Sequence, residues 1–198
     1  NCGQKVKPVP TDEKATQNCN SIYAVSKKVQ EDTVILIGKT YNIPSVALRY
    51  FNVYGPRQSL SNPYTGVAAI FLSRIKNDNR PVIYEDGMQT RDFVSVHDVA
   101  RANILAMENP KADYEVFNIG SGIALPIKDV AIKLARLLGK DIQPEITYKF
   151  RKGDVRHCYA DISKAKIIGF EPKVSFEDGM RELIEWSKGV VADDKFSV

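Results

Sequence analysis

Long apolar runs are missing from this 198-residue sequence. None approaches the roughly 18 residues that a membrane-crossing helix needs, and no charged-then-apolar leader opens the chain. Cysteine is scarce as well. Cys2, Cys19 and Cys158 form an odd set with neither CxxC nor metal-type spacing, which argues against a disulfide framework or a metal site and for reduced thiols in the cytoplasm. Basic runs are also absent: 28 Lys plus Arg are interspersed with 24 Asp plus Glu, a formal net charge of +4, so nothing marks a nucleic-acid-binding or membrane-binding surface. The sequence has no internal repeat and no low-complexity segment.

What is present is a globular composition, 43% hydrophobic and 26% charged, enough to bury a core in one or two domains. The chain opens on Asn1 rather than Met, and NCGQKVKPVPTDEKATQ reads as a loop, so a processed or truncated product is expected.

Ile22, Val25, Val29 and Leu36 fall at helical spacing, and the pattern predicts a helix from Ile22 towards Tyr41 that stops before Pro44. SVALRYF, residues 45–51, is short and apolar on both faces, as a buried parallel strand is. Helical spacing returns from Val67, strands are predicted at VIY, FVSV and VFNIG, and a further helix over 97–109. Pro126 opens another helix that runs to Gly139. EITYKF fits a strand and SKAKIIGF a short helix ending at Gly169. Ser175 with Asp178 forms a capping box ahead of the last helix. Strands alternating with helices predict an α/β fold with parallel strands.

Tyr23 and Lys27 stand four apart, on one face of the first predicted helix. An ammonium beside a phenol favours the phenolate, the arrangement a tyrosine general base needs. The spacing alone is weak, because Tyr148 and Lys152 share it where no helix is predicted.

The blocks that follow carry more weight: SIYAVSKKVQED, ALRYFNVYGPRQ, EDGMQTRDFVSVHDVARA, FNIGSG and KGDVRHCYADISKAKIIGFEP, in that order. Together, over residues 9–188, they resemble the nucleotide-sugar epimerases and dehydratases of the extended short-chain dehydrogenase/reductase family. The segment SNPYTGVAAIFLSRIKN most resembles the 4-epimerases acting on dTDP-rhamnose or a related UDP or dTDP sugar.

The resemblance implies the carboxyl-terminal part of a Rossmann-like parallel sheet with a smaller α/β substrate-binding lobe. It places residues 1–56 and 87–110 in an NAD-binding domain, 57–86 and 111–190 in a nucleotide-sugar domain, and 191–198 in a tail. It makes Tyr23 the general acid/base and Lys27 its partner on the nicotinamide ribose, with Tyr50 and Phe51 bordering the nicotinamide. Asn52 would reach a substrate phosphate, Arg91, Arg151 and Arg156 would clamp the diphosphate, and Asp154 would accept from a ribose hydroxyl. Val67, Val82 and Tyr84 match positions bordering the nucleobase. His97 and His157 match no family catalyst. NAD is the implied cofactor, a UDP- or dTDP-sugar the implied substrate and a homodimer the implied assembly, formed through the Tyr23 helix and the helix after Gly66.

The departure from the family is the absence of GxxGxxG and of the acidic residue that grips the adenosine ribose. The family's catalytic Ser/Thr would precede Asn1. Two alternatives stay open: a 4,6-dehydratase or decarboxylase of the same family, and a non-catalytic nucleotide-sugar-binding module.

Overall fold

The computed structural model describes residues 7–62, 65–150, 153–192 and 194. Helix α1 spans Ile22–Tyr41, as its apolar spacing predicts. Ser21 caps it by accepting from the Ala24 N–H at 3.1 Å, and Asn42 closes it in the left-handed region at φ 55°, ahead of Pro44. Gly38 is the one buried residue of the helix. A Cβ there would lie 2.5 Å from Ser45 Oγ, so only glycine lets the returning chain pass so close before it enters the sheet.

Strand β1 (Ala47–Tyr50) is followed at once by β2 (Asn52–Tyr54), helix α2 (Val67–Lys76) and the short strands β3 (Val82–Ile83), β4 (Thr90–Arg91) and β5 (Phe93–Ser95). Then come α3 (Val96–Glu108), β6 (Val116–Ile119), β7 (Leu125–Pro126), α4 (Ile127–Leu137), β8 (Glu145–Ile146), β9 (His157–Cys158) and α5 (Phe176–Ser187). A 3-10 turn over Ala165–Ile168 ends at Gly169, and Ser175 Oγ caps α5 on the Asp178 N–H at 3.1 Å.

The ladders are mostly parallel, as in Rossmann-like folds: β1 with β6, β2 with β5, and β3 with β8. β4 lies between β9, parallel to it, and β7, antiparallel. The sequence predicts a buried β1; the structure corrects this. Its residues are half-buried or exposed, because among the described residues it is hydrogen-bonded on one side only, to β6.

Two apolar cores flank β5, where successive side chains point to opposite faces. Phe93 enters the first with Tyr54, Ile83 and the inner faces of α2, α4 and α5, its ring 6.4 Å from Tyr54 in an edge-on contact. Val94 enters the second with Phe117, Ile119 and Phe170 and with Val99, Ala102 and Ala106 of α3. Residues beyond 110 contribute to both cores, α4 and α5 to the first and β6 to the second. None of the ten residues of α2 is fully exposed, and the helix packs its apolar side on α4.

Candidate functional site

The carboxyl end of β1 and the start of β2 face a segment, residues 11–18, that the fold ties down firmly. Thr11 bridges Ala160, with its N–H donating to the Tyr159 carbonyl and its carbonyl accepting from the Asp161 N–H, both at 2.8 Å. Asn118 of β6 adds two more ties, its side-chain amide donating to the Thr11 carbonyl at 3.0 Å and its backbone N–H to Glu13 Oε1 at 2.7 Å. Strand ends, a helix and a fixed loop therefore converge, the place where open parallel sheets hold ligands.

Two grooves open there. The larger, about 600 Å³, has α1 and β1 as walls and is lined by Tyr23, Lys27, Gln30, Glu31 and Tyr50 among others. The second, about 490 Å³, lies beyond the end of β1 and takes in Tyr50, Phe51, Asn52, Asn118 and Cys158.

Tyr23 is 71% exposed on the groove side of α1. The Lys27 ammonium lies 5.5 Å from the centre of its ring and donates to Gln30 Oε1 at 3.2 Å. The structure thus brings Tyr23, Lys27 and Tyr50 to one groove. The Tyr50 hydroxyl, however, turns away to Asn103 Oδ1 of α3, at 3.0 Å. Phe51 and Asn52 are pinned by their N–H groups to the Ile119 and Asp92 carbonyls, at 3.0 and 2.9 Å.

The expected diphosphate arginines are engaged with carboxylates. Arg91 donates to Asp154 Oδ1 at 3.2 Å, so Asp154, expected on a ribose hydroxyl, instead serves an arginine here. Arg156 is ion-paired with Glu85 and, at 2.7 Å, with Asp86. That guanidinium, together with the Met88 N–H, holds the Asp86 carboxyl down to about 2. Arg151 lies outside the described residues. Val67 packs against the first core, Val82 is half-buried in β3, and Tyr84 stands at the surface after it. These three are not among the residues lining either groove.

His97 pairs with Glu182 at 2.8 Å and His157 Nδ1 shares a hydrogen bond with Thr90 Oγ1 at 3.0 Å, structural partners in both cases. Among the described residues no group of three or more His, Cys, Asp or Glu could hold a metal ion, and no helix is long and apolar enough to cross a membrane.

Sequence reasoning passes over two charged residues at the larger groove. Arg49 of β1 grips Glu31 of α1 through Nε and Nη2, both at 2.7 Å, and donates from Nη1 to the Glu13 carbonyl at 3.1 Å. Each partner steadies the other's charge: the guanidinium lowers the Glu31 carboxyl below its ordinary value, and the carboxylate raises Arg49. The available signal was Arg49 itself, a charge inside an otherwise apolar strand.

Residues 3–183 match the family model described as GDP-mannose 4,6 dehydratase. The chain belongs to this family of nucleotide-sugar-modifying short-chain dehydrogenases. It is 36% identical over 91% of its length to a putative UDP-glucose 4-epimerase of Methanocaldococcus jannaschii, and covers 57% of that protein. It is 40% identical over 84% of its length to the dTDP-L-rhamnose 4-epimerase of Burkholderia thailandensis, covering 46%. A UDP-N-acetyl-alpha-D-glucosaminuronate decarboxylase of Bacillus cytotoxicus is 32% identical over 90% of the chain, which covers 57% of it.

Among solved structures, the UDP-glucose 4-epimerase of Thermotoga maritima with UDP-glucose superposes with a TM-score of 0.85 at 40% identity, over 94% of this chain and 59% of that one. The UDP-glucuronic acid 4-epimerase of Bacillus cereus, in complex with UDP-glucuronic acid and NAD, gives 0.81 at 32% identity, over 92% and 57%. This family member therefore spans about half the length of the curated relatives it matches.

Proposed function

We propose that this chain supplies the acid/base pair and the substrate-binding face of an NAD-dependent nucleotide-sugar epimerase acting at C4. The observation that carries the reading is the Tyr23 and Lys27 pair on the groove side of α1, with the ammonium over the phenol ring and bonded to the neutral Gln30 amide.

In this reading the Tyr23 phenolate accepts the C4 hydroxyl proton as the sugar carbonyl forms, and returns it to the epimeric alcohol after the 4-keto sugar has turned over. NAD, when bound, supplies reversible acceptance of the C4 hydrogen as hydride. A groove of about 600 Å³ walled by Tyr23, Lys27 and Tyr50 suits the nicotinamide riboside end of that cofactor, with Phe51 just beyond. Nothing in the sequence answers to a GxxGxxG pyrophosphate cradle.

Lys27 holds the ribose and keeps its charge beside the Tyr23 ring. Asn52, Arg91, Arg151 and Arg156 take the substrate diphosphate, a task that suits planar guanidinium forks. Arg91 and Arg156 then exchange Asp154, Glu85 and Asp86 for phosphate oxygens, and Asp154 becomes free to accept from a ribose hydroxyl. Val67, Val82 and Tyr84 border the nucleobase. The two-lobe division expected from the sequence places the UDP- or dTDP-sugar in the cleft between lobes. A homodimer would cover the apolar side of α1, where Val25, Val29 and Leu36 are exposed. The free Cys19 and Cys158 suit the reducing cytoplasm.

The test is to incubate the protein, as its gene encodes it, with UDP- and dTDP-hexoses and catalytic NAD, and to separate the 4-epimers. Interconversion without net reduction of NAD supports the reading. A 4-keto-6-deoxy or decarboxylated product moves the chain to its dehydratase or decarboxylase relatives. Tight nucleotide-sugar binding with no turnover makes it a binding module.

A further inference from the structure

Glu31 follows Lys27 by four residues and Tyr23 by eight, so the three share one face of α1. At that spacing a lysine and a glutamate ordinarily reach one another. Here they do not. Both oxygens of Glu31 turn to the Arg49 fork, and the Lys27 ammonium, left with the neutral Gln30 amide, sits over the Tyr23 ring.

We propose that Arg49 is a positioning residue for the acid/base pair: by holding Glu31 against β1, it keeps that carboxylate off Lys27 and leaves the ammonium to Tyr23. The inference deepens the epimerase reading and, in its kinetic arm, rests on it.

The surroundings leave Glu31 as the carboxylate that matters. On α1, Asp32 is taken by Lys28 at 2.8 Å. From the facing 11–18 segment, Asp12 caps its own loop through the Lys14 N–H at 3.0 Å, and Glu13 accepts from the Asn118 N–H. Cys19, at the groove, is a thiol beside Lys28. β1 presents Arg49 and Tyr50, and Tyr50 is bonded to Asn103. Cutting the Arg49 tie would free a half-buried carboxylate one helical turn from Lys27. An unpaired charge there is costly, and Lys28, whose charge also feels Glu31, already holds Asp32, so Lys27 is the ammonium open to it.

Three variants decide the matter. In Arg49→Met the carboxylate is released onto Lys27. In Arg49→Met/Glu31→Gln the released group is neutral. In Gln30→Glu an exposed carboxylate is placed on Lys27 with the Arg49–Glu31 pair untouched, so folding is not at risk. The first readout needs no turnover: the growth of Tyr23 phenolate absorbance with pH, taken as the difference from the same protein carrying Tyr23→Phe. The second is the pH profile of kcat for 4-epimerisation.

Arg49→Met and Gln30→Glu are expected to move phenolate formation to higher pH by about one unit, the scale of one nearby charge. The acidic limb of kcat should move with it, with kcat at neutral pH down about tenfold and KM within about twofold. The double variant is expected to return the phenolate curve to that of the parent even where thermal stability stays low. A Gln30→Glu curve superimposed on the parent overturns the proposal, as does a double variant that stays shifted with Arg49→Met. A protein whose phenolate responds as described but which epimerises no sugar keeps the positioning role and sinks the epimerase reading instead.

Discussion

A Cβ built on Gly120 would lie 2.6 Å from Oδ2 of Asp92, so glycine is what lets the turn after β6 close onto a fully buried carboxylate. Asp92 there accepts from the Ser121 N–H and hydroxyl at 2.7 and 2.6 Å, from the Gly122 N–H at 2.9 Å and from the Ala160 N–H at 3.0 Å. One side chain, next to Arg91, thus ties the turn after β6 to the segment that follows β9. Asp92→Asn keeps the volume but turns an N–H₂ towards donors, so a loss of about 3 kcal/mol is expected. Gly120→Ala is expected to destabilise through the clash. Denaturant melts that coincide with the parent would refute the buried tie.

Tyr23→Phe removes only the hydroxyl, from a side chain 71% exposed. Epimerisation in the protein as its gene encodes it is expected to fall by three or more orders of magnitude, about 4 kcal/mol of barrier, with nucleotide-sugar affinity and thermal midpoint nearly unchanged. Turnover equal to that of the parent would take Tyr23 out of the mechanism.

Arg91→Ala and Arg156→Ala are each expected to weaken UDP or dTDP binding by about 1.5 to 3 kcal/mol, the scale of a hydrogen bond to a charged group. Because Arg91 must first leave Asp154, Asp154→Asn is expected to make the guanidinium more available, and to tighten UDP unless the carboxylate also meets the ribose. Calorimetry on the three variants separates the two roles of Asp154.

The Arg156 to Asp86 contact is expected to outlast ordinary carboxylates in acid. The Asp86 carboxyl is held down to about 2, so its contribution is complete above the usual carboxylate range and is lost progressively as pH falls from that range through about 2. Carboxyl-carbon NMR should show that midpoint, and in Arg156→Ala it should return towards the ordinary aspartate value. An Asp86 that titrates alike in both proteins removes the contact from solution.

Much of this was legible in the chain because its signals are local. Apolar spacing from Ile22 onward and Pro44 after it bound α1, Pro126 and Gly139 bound α4, and Ser175 with Asp178 starts α5. Of the short strands, β3, β5 and β8 were legible in VIY, FVSV and EITYKF. β2, β4, β7 and β9 were not: β4 exists because β9, some 67 residues later, pairs with it. The site divides in the same way. Tyr23 and Lys27 are adjacent on one helix and could be read from spacing and neighbouring blocks. The grip of Arg49 on Glu31, across 18 residues, and of Arg91 on Asp154, across 63, are tertiary facts without a local pattern.

The 198-residue polypeptide expressed by itself is expected neither to retain NAD nor to epimerise sugars, since its sequence offers no glycine-rich turn at a helix start for the pyrophosphate. It is also expected to self-associate. Ile22, Val25, Val29 and Leu36 are exposed along α1, Ile22 at 91%, and β1 is paired on one side only among the described residues. An apolar helix face beside an open strand edge is the kind of surface that soluble monomers cover. Light scattering should therefore report a mass above that of one chain, and Val25→Lys with Val29→Lys should lower it, since both charges fall on that face one turn apart. A monodisperse monomer of the unaltered polypeptide that binds NAD tightly would overturn both expectations, because its cofactor site would then have to be built from residues given other work here.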